Sequence, residues 1–499
     1  MYTFIISLIT IILGFFLYGT LVEKVFRIQP NRHTPAINQA DGVDYVPMSG
    51  WRIFLVQFLN IAGLGPIYGA IMGICFGPAA FLWIVLGTIF AGAVHDYITG
   101  MMSVRQNGAS LPEIVGSQLG TVVKLGLRLF TPILLTLLTT VFLSGPAGLL
   151  QGLHAFPTMQ LRGQALLITW LLIIFGYYTL ATILPVDKLI GRFYPVFGGI
   201  LLFMGIGIMI VMLGWHSSDM IEITDGMQNH LNNDLPLFPM MFVSIACGAI
   251  SGFHATQAPL MARCLTNERQ GRWIFYGAMA CEGILALIWA AAASSYRFEV
   301  DGGQVVGINE YLYTYHHTAA DVVDQLCRSW LGKIGGILAI IGVIAAPITS
   351  GDTALRSARL VLADFLHLDQ KNIAKRFIIA IPLFACVFGL VFVDFTMVWR
   401  YFSWTNQTMA VFTLWAATLF LYKQEHQSLN RPMKWGYLIT LIPAQFMTMG
   451  SISYILIAPE GFDVSPDKRW ICYIIAAGLV CVTVTVFSFW TRKFKRKML

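Results

Sequence analysis

Charge is what this chain has least of. Asp, Glu, Lys and Arg make up 11% of its 499 residues, against about 25% in a soluble domain. A soluble globular protein and a charged disordered chain are both excluded. No C-x-x-C occurs, and the eight cysteines are scattered, so neither a zinc site nor a disulfide framework is indicated. Cys327 is expected in a loop. Cys75, Cys247, Cys264, Cys281, Cys386, Cys472 and Cys481 lie in or beside apolar runs. There is no H-E-x-x-H or G-x-S-x-G, so an intramembrane enzyme has no motif to rest on, and a non-enzyme without cofactor or metal is expected. Short alternating strands are missing as well, which argues against a β-barrel. The first segment lacks a basic leader and an A-x-A site, so it is expected to be a retained helix. The longest polar loops leave no room for a soluble signalling domain. The net charge of +7 does not imply nucleic acid, because in membrane proteins basic residues mark the cytoplasmic side.

What is present is hydrophobicity: 57% of the chain, in runs near twenty residues, each enough to cross a bilayer. Thirteen spans are predicted, at 2–22, 53–73, 79–103, 129–150, 164–184, 193–213, 237–261, 273–295, 334–355, 377–394, 398–422, 436–458 and 470–490. With the N-terminus outside and the C-terminus inside, 25 of the 32 Lys and Arg fall inside. The inside set includes Lys188, Arg192, Lys371, Arg431 and Lys497. Six fall outside (Arg162, Arg297, Arg328, Lys333, Lys468 and Arg469), and Arg400 lies at a boundary. That asymmetry sets the expected orientation. The outer loop 214–236 holds four acids and no Lys or Arg.

Two spans are broken. NIAGLGPIYGAIMG, residues 60–73, carries Gly63, Gly65 and Pro66 inside an apolar run. Glycine weakens a helix and proline removes a donor, while hydrocarbon offers no water to the freed groups. ACGAISGFHATQAP, residues 246–259, is interrupted in the same way. The two breaks open successive five-helix units of opposite orientation, the pattern that points to a secondary transporter's midplane site. The expected segments are an extra N-terminal helix and loop (1–50), a first repeat with its outer loop (51–236), a second repeat (237–430), and two C-terminal helices with a basic tail (431–499).

Ionisable residues inside spans are costly and mark function. Here they are His95, Asp96, His254, Glu282, Asp352 and Asp394. His95 and Asp96 close the third span near the inner face. They read either as a cap, Asp96 pairing Arg105 or Lys124, or with Glu282 as a gate or proton relay. His254 is placed in the unwound part of the seventh span beside Ser251, Gly252, Thr256 and Gln257. With Asn60, Gly63, Gly65 and Tyr68 of the first break, these are candidate substrate-binding residues. Asn406 and Gln407 are either glue between helices or site-lining donors, and Arg400 and Trp404 could be interfacial anchors. AAPITSGDTALRSAR, residues 345–359, gathers Thr349, Ser350, Asp352 and Thr353. It reads as a helix end with Asp352 pairing Arg356, or as a hard-cation site of Thr349, Ser350 and a carbonyl near Ala346, completed by carbonyls of the first break.

NIAGLGPIYGAIMG, the stretch 76–116, CGAISGFHATQAP, SGDTALRSAR and FSWTNQTMA together resemble the carbon starvation protein A (CstA) family, from about Trp51 to Tyr422. The resemblance implies an inner-membrane importer linked to carbon starvation, taking short peptides or small carboxylates such as pyruvate. It also implies a fold with the LeuT-like core of five plus five inverted helices. One extra helix would precede that core and two would follow, in an all-α polytopic membrane protein. Coupling to a proton or sodium gradient is expected, and a passive channel is the alternative. Ala346, Thr349 and Ser350 also resemble the A-x-x-T-S pattern that binds sodium in LeuT-like symporters; with Asp352 they are the candidate ion-coupling residues. The expected partners are a small-molecule substrate and the lipid bilayer.

Overall fold

In the computed structural model all residues are described except 43, 153–163, 184–185, 232–234, 301, 369–372, 428–432 and 499, and the side chains of 152, 182–195, 373, 497 and 498. Arg162, Asp234, Lys371 and Arg431 of the charge pattern, with the segment boundary at 430–431, lie outside the described residues; so do the side chains of Lys188, Arg192 and Lys497.

The helices in chain order are α1 (Tyr2–Phe26), α2 (Pro35–Asn38), α3 (Gly50–Ile61), α4 (Ala70–Ile74), α5 (Ala79–Gly87), α6 (Ala93–Arg105), α7 (Leu111–Leu119), α8 (Thr121–Gly152) and α9 (Gln164–Ile183). After them come α10 (Val186–Trp215), α11 (Leu237–Ser244), α12 (His254–Ala262), α13 (Gly277–Ser295), α14 (Ala319–Leu366), α15 (Ile373–Leu390), α16 (Phe395–Gln427), α17 (Leu438–Ile457) and α18 (Arg469–Met498). A hairpin of β1 (Phe298–Val300) and β2 (Gln304–Val306) precedes α14. The fold is otherwise all-α among the described residues.

Helix occupies each of the thirteen predicted stretches. Among the described residues, nine helices are long and apolar enough to cross a membrane, or ten if the bent pair Gly50–Ile61 and Gly65–Ile74 is one span. The protein is therefore a multi-pass membrane protein. α11 and α12, with eight and nine residues, are each too short alone.

Burial separates centre from periphery. The apolar windows of 79–105 and 268–295 are 83% and 89% buried, whereas that of 466–496 is 11% buried. α18 turns Trp470, Ile474, Val482 and Phe489 outward, and α1 does so with Ile6, Leu13 and Leu17; these faces suit lipid. At the centre α12 packs on α6, and α14 packs on α8 and α10.

The predicted ninth span, 334–355, begins just past a kink at Gly332 (φ 66°), where two helical stretches join to make α14; the first of them starts at Ala319 and carries Cys327. Cys327 is accordingly buried in that helix, not in a loop.

Candidate functional site

The first break has a local cause. α3 stops at Ile61, and the chain bends by 53° into a π turn, Gly65–Gly69, that leads to α4. The Gly63 amide donates to Ile61 O at 2.8 Å. In a continuing α-helix it would reach Leu59 O, so that carbonyl is released. The Ser350 hydroxyl takes it up, lying 2.9 Å from both Leu59 O and Ala346 O. Thr349 Oγ1 donates to Ala346 O at 2.8 Å, and Thr353 Oγ1 to Ser350 O at 3.0 Å. Leu59 O, Ala346 O, Thr349 Oγ1 and Ser350 Oγ thus form one buried oxygen cluster between α3 and α14. The expected Asp352–Arg356 pair does not form. Asp352 Oδ2 is buried without a hydrogen-bond partner, and Arg356 Nη2 donates to Ala181 O at 3.1 Å.

The second break, between α11 and α12, lies against the first. A Cβ on Gly65 would fall 2.1 Å from Cys247 Cβ, one on Gly69 2.6 Å from Ser244 O, and one on Gly63 2.4 Å from Phe142 Cζ. These glycines are required for close approach of the backbone. α16 ties the second break down. Asn406 Oδ1 accepts from Phe253 N (2.6 Å) and Ser251 Oγ (3.1 Å), and Asn406 O accepts from Gly252 N (3.2 Å). Gln407 Nε2 donates to Phe242 O at 3.3 Å. Both oxygens of Asn406 are thus taken inside the protein. Its backbone leaves room only for glycine at 252, where a Cβ would stand 2.3 Å from Asn406 O.

His254 is not in the unwound stretch; it is the first residue of α12. Its Nδ1 lies 2.9 Å from Asp96 Oδ2, and its Nε2 3.3 Å from Glu282 Oε2. The other Asp96 oxygen is 2.8 Å from His95 Nδ1. All four side chains have zero exposure. One buried titratable chain therefore joins α6, α12 and α13. Asp96 does not pair Arg105 or Lys124, because Arg105 binds Glu268 (2.7 Å) and Lys124 binds Glu113. His95 and Asp96 are also nine or ten residues from the end of α6, so they do not cap it. Gln257 and Thr256 are buried in α12, Gln257 Nε2 donating to Thr256 Oγ1 at 3.0 Å. Asp394 caps α16, accepting from Met397 N at 3.0 Å. No group of three or more His, Cys, Asp and Glu is arranged for a metal among the described residues.

A cavity of about 400 Å³ opens beside the first break, within the usual range for ligand sites. Of the substrate candidates only Tyr68 lines it. Its wall also holds Trp399 and Arg400, the latter read from the sequence only as a boundary residue or an anchor, together with Ser244, His316, Ser403 and Glu460, which went unnoticed there. Asn60 instead lines a chamber of about 20 Å³ with Arg263 and Arg356, its carboxamide without a partner. Beyond that chamber Arg105–Glu268, Arg128–Glu113 (2.6 Å) and Arg272–Glu23 (3.7 Å) knit the opposite face together.

The sequence profile described as carbon starvation protein CstA matches residues 1–151 and 154–327. The chain belongs to the CstA family. The match begins before Trp51 and ends before Tyr422, so the oxygen cluster of α14 and Asn406 lie beyond it. An uncharacterised membrane protein of Haemophilus influenzae is 44% identical over 57% of this chain and 88% of its own length. The pyruvate/proton symporter BtsT of Escherichia coli is 28% identical over 55% of this chain and 46% of its own. The E. coli peptide transporter CstA is 27% identical over 63% and 52%. The chain thus matches about half the length of those two transporters. Among solved structures, a manganese transporter of Eremococcus coleocola superposes with a TM-score of 0.53 over 92% of this chain and 99% of that one, at 14% identity. That likeness shows a shared fold alone. This CstA-family chain is therefore a membrane protein of a transporter family.

Proposed function

We propose that the chain is a secondary active importer of small carboxylates such as pyruvate, or of short peptides, driven by a proton or sodium gradient under carbon limitation. The observation that carries this is the contact of two broken helices at Gly65 and Cys247, with the Asp96–His254–Glu282 chain starting at the second break. Broken helices in corresponding places of two repeats are how such carriers build a midplane site. On this reading 51–236 and 237–430 are inverted LeuT-like repeats, α1 precedes them, and α17 and α18 follow. The thirteen-span order, the inner-membrane location, the outside N-terminus and the absence of any cofactor belong to the same reading.

The oxygen cluster of Leu59, Ala346, Thr349 and Ser350 suits a hard monovalent cation if its hydroxyls turn their lone pairs inward. The Asp96–His254–Glu282 chain suits a proton, with His95 as its side branch. Rocking of one helix bundle against the other would alternate access. The cavity open on one face, with ion pairs knitting the other, supports an outward-facing state.

Uptake of labelled pyruvate and dialanine into proteoliposomes, with proton and sodium gradients imposed separately, tests the proposal. Accumulation above the outside concentration that an ionophore collapses is expected. Uptake that only follows the substrate gradient would leave the passive channel as the answer.

A further inference from the structure

The mechanism above gives no role to Arg400. It stands five residues into α16, with its guanidinium in the wall of the 400 Å³ cavity and 41% exposed. Its charge is permanent. Among the described residues its one ionic neighbour is Glu460, whose Oε2 is 3.6 Å from Arg400 Nη1, too far for a hydrogen bond. Glu460 Oε1 is engaged separately by the Tyr454 hydroxyl. Among the described residues no hydrogen bond uses the Arg400 donors.

Other positive features border the cavity, and the two helix N-termini among them already hold carboxylates. The N-terminus of α14 carries a capping box: Thr318 Oγ1 accepts from Asp321 N, and Asp321 accepts from Thr318 N at 2.8 Å. The N-terminus of α16 is capped by Asp394. His317 Nδ1 lies 3.9 Å from Asp321. His316 lines the wall as well. Beside Arg400 stands an aromatic wall. The Tyr68 ring is 6.0 Å from Trp399 and 6.5 Å from Phe395, and the Tyr68 hydroxyl is buried without a partner.

We infer that Arg400 is the carboxylate-binding residue of this cavity, held open by Glu460 and released from it when a ligand carboxylate arrives. The ligand class is a small organic acid with a short apolar body, either a free 2-oxo or 2-hydroxy acid or the C-terminal end of a short peptide. The guanidinium fork offers two parallel N–H groups to a carboxylate, which a loose ion pair at 3.6 Å does not use. The aromatic wall of Tyr68, Phe395 and Trp399 takes the apolar body. Glu460 keeps the guanidinium aimed, and its carboxylate competes with the ligand's for it. This inference rests on the transport reading for its physiological meaning, but the binding it describes is measured separately.

The test uses the full chain in nanodiscs. Phenylglyoxal labels accessible arginines, and peptide mass spectrometry reads the rate at Arg400. Pyruvate or dialanine is expected to slow labelling of Arg400 selectively, whereas methyl pyruvate and dialaninamide should not. Protection by pyruvate alone assigns a free acid, and protection by dialanine alone assigns a peptide terminus. Glu460→Gln should lower the half-protecting concentration several-fold. Arg400→Gln should raise the uptake KM about tenfold or more, as expected for loss of a charge-assisted pair, with Arg400→Lys in between. No protection by either acid, or equal protection by the ester and the amide, overturns the inference. Protection without uphill uptake would leave this site standing and remove the importer reading instead.

Discussion

The close approach at Gly65 gives a sharp prediction. A methyl group there would place its carbon 2.1 Å from Cys247 Cβ and 2.4 Å from its Sγ. Comfortable carbon contacts lie near 3.5–4.0 Å, so the two broken segments must part by more than ~1 Å. No rotamer helps, because a Cβ is fixed to its backbone. Overpacking of this kind costs about 1–3 kcal/mol. Gly65→Ala is expected to lower the thermal midpoint of the detergent-solubilised protein and to reduce uptake. The partner substitutions separate steric from chemical causes. Cys247→Ala removes Sγ but keeps the offending Cβ. Cys247→Gly leaves Cα, 3.6 Å away, as the nearest remaining Cys247 atom, which is ordinary contact. Cys247→Gly has its own cost, since Sγ touches Ser251 Oγ at 3.6 Å and receives Asn406 Nδ2 at 3.5 Å. Even so, Gly65→Ala with Cys247→Gly should be more stable than the sum of the single changes, by about 0.5–3 kcal/mol of coupling. The reasoning fails if Gly65→Ala melts like the parent protein. It fails equally if Cys247→Ala restores stability as well as Cys247→Gly does.

Three further outcomes are expected. Asp96→Asn keeps the shape but removes the charge between His95 and His254; proton-driven accumulation should disappear while substrate exchange at equal pH persists, and unchanged accumulation would refute a proton role for the chain. Ser350→Ala leaves Leu59 O without its donor, which should cost about 1–3 kcal/mol of stability and remove cation dependence of uptake, as should Asp352→Asn; normal ion-driven uptake in both variants would sink the cation site. At Glu113 burial pushes the carboxyl up, but hydrogen bonds from Lys124 and Arg128 outweigh it and hold it below the usual carboxylate range. Its stabilisation is therefore complete above that range and is lost as pH falls through it. The thermal midpoint of Glu113→Gln should lie below that of the parent at pH 7, by a small margin because the carboxylate is partly exposed, and the gap should close under acid; a gap that widens at low pH would contradict the sign.

The breaks were legible because their causes are local. Gly63, Gly65 and Pro66 act on the residues beside them, and the hydroxyls of Thr349 and Ser350 sit one turn from the Ala346 carbonyl they bind. The charged chain was legible only as single residues. Asp96 meets His254 across 158 positions of sequence, and nothing in the neighbourhood of either announces the other. Nearness along the chain even pointed the wrong way, since Arg105 is closer in sequence to Asp96 than to Glu268 yet binds Glu268. The cavity was illegible for a related reason. Its wall draws on the π turn, α11, the stretch before α14, the start of α16 and the turn after α17, and tertiary packing alone brings these together.

Cavity and charged chain are nonetheless mechanically close. Tyr68 lies in the same π turn as Gly65, so whatever fills the cavity touches the element that meets Cys247. Cys247 Sγ reaches Ser251 and Asn406, and Asn406 holds the amide of Phe253, the residue before His254. A displacement of the π turn by a fraction of an ångström has no slack to absorb it, because the Gly65–Cys247 contact already excludes a methyl group. It must either be resisted or pass into the 245–253 stretch that sets the position of His254 between Asp96 and Glu282. Coupling through packed elements requires that they have two discrete arrangements. A helix end released from its ladder is well suited to this, since the hydrogen bonds that hold it come from side chains, Ser350 on Leu59 O and Asn406 on Phe253 N, and side chains can exchange partners without unfolding a helix. The breaks are thus the part of the bundle where occupation of the cavity and protonation of the buried chain can be made to depend on each other.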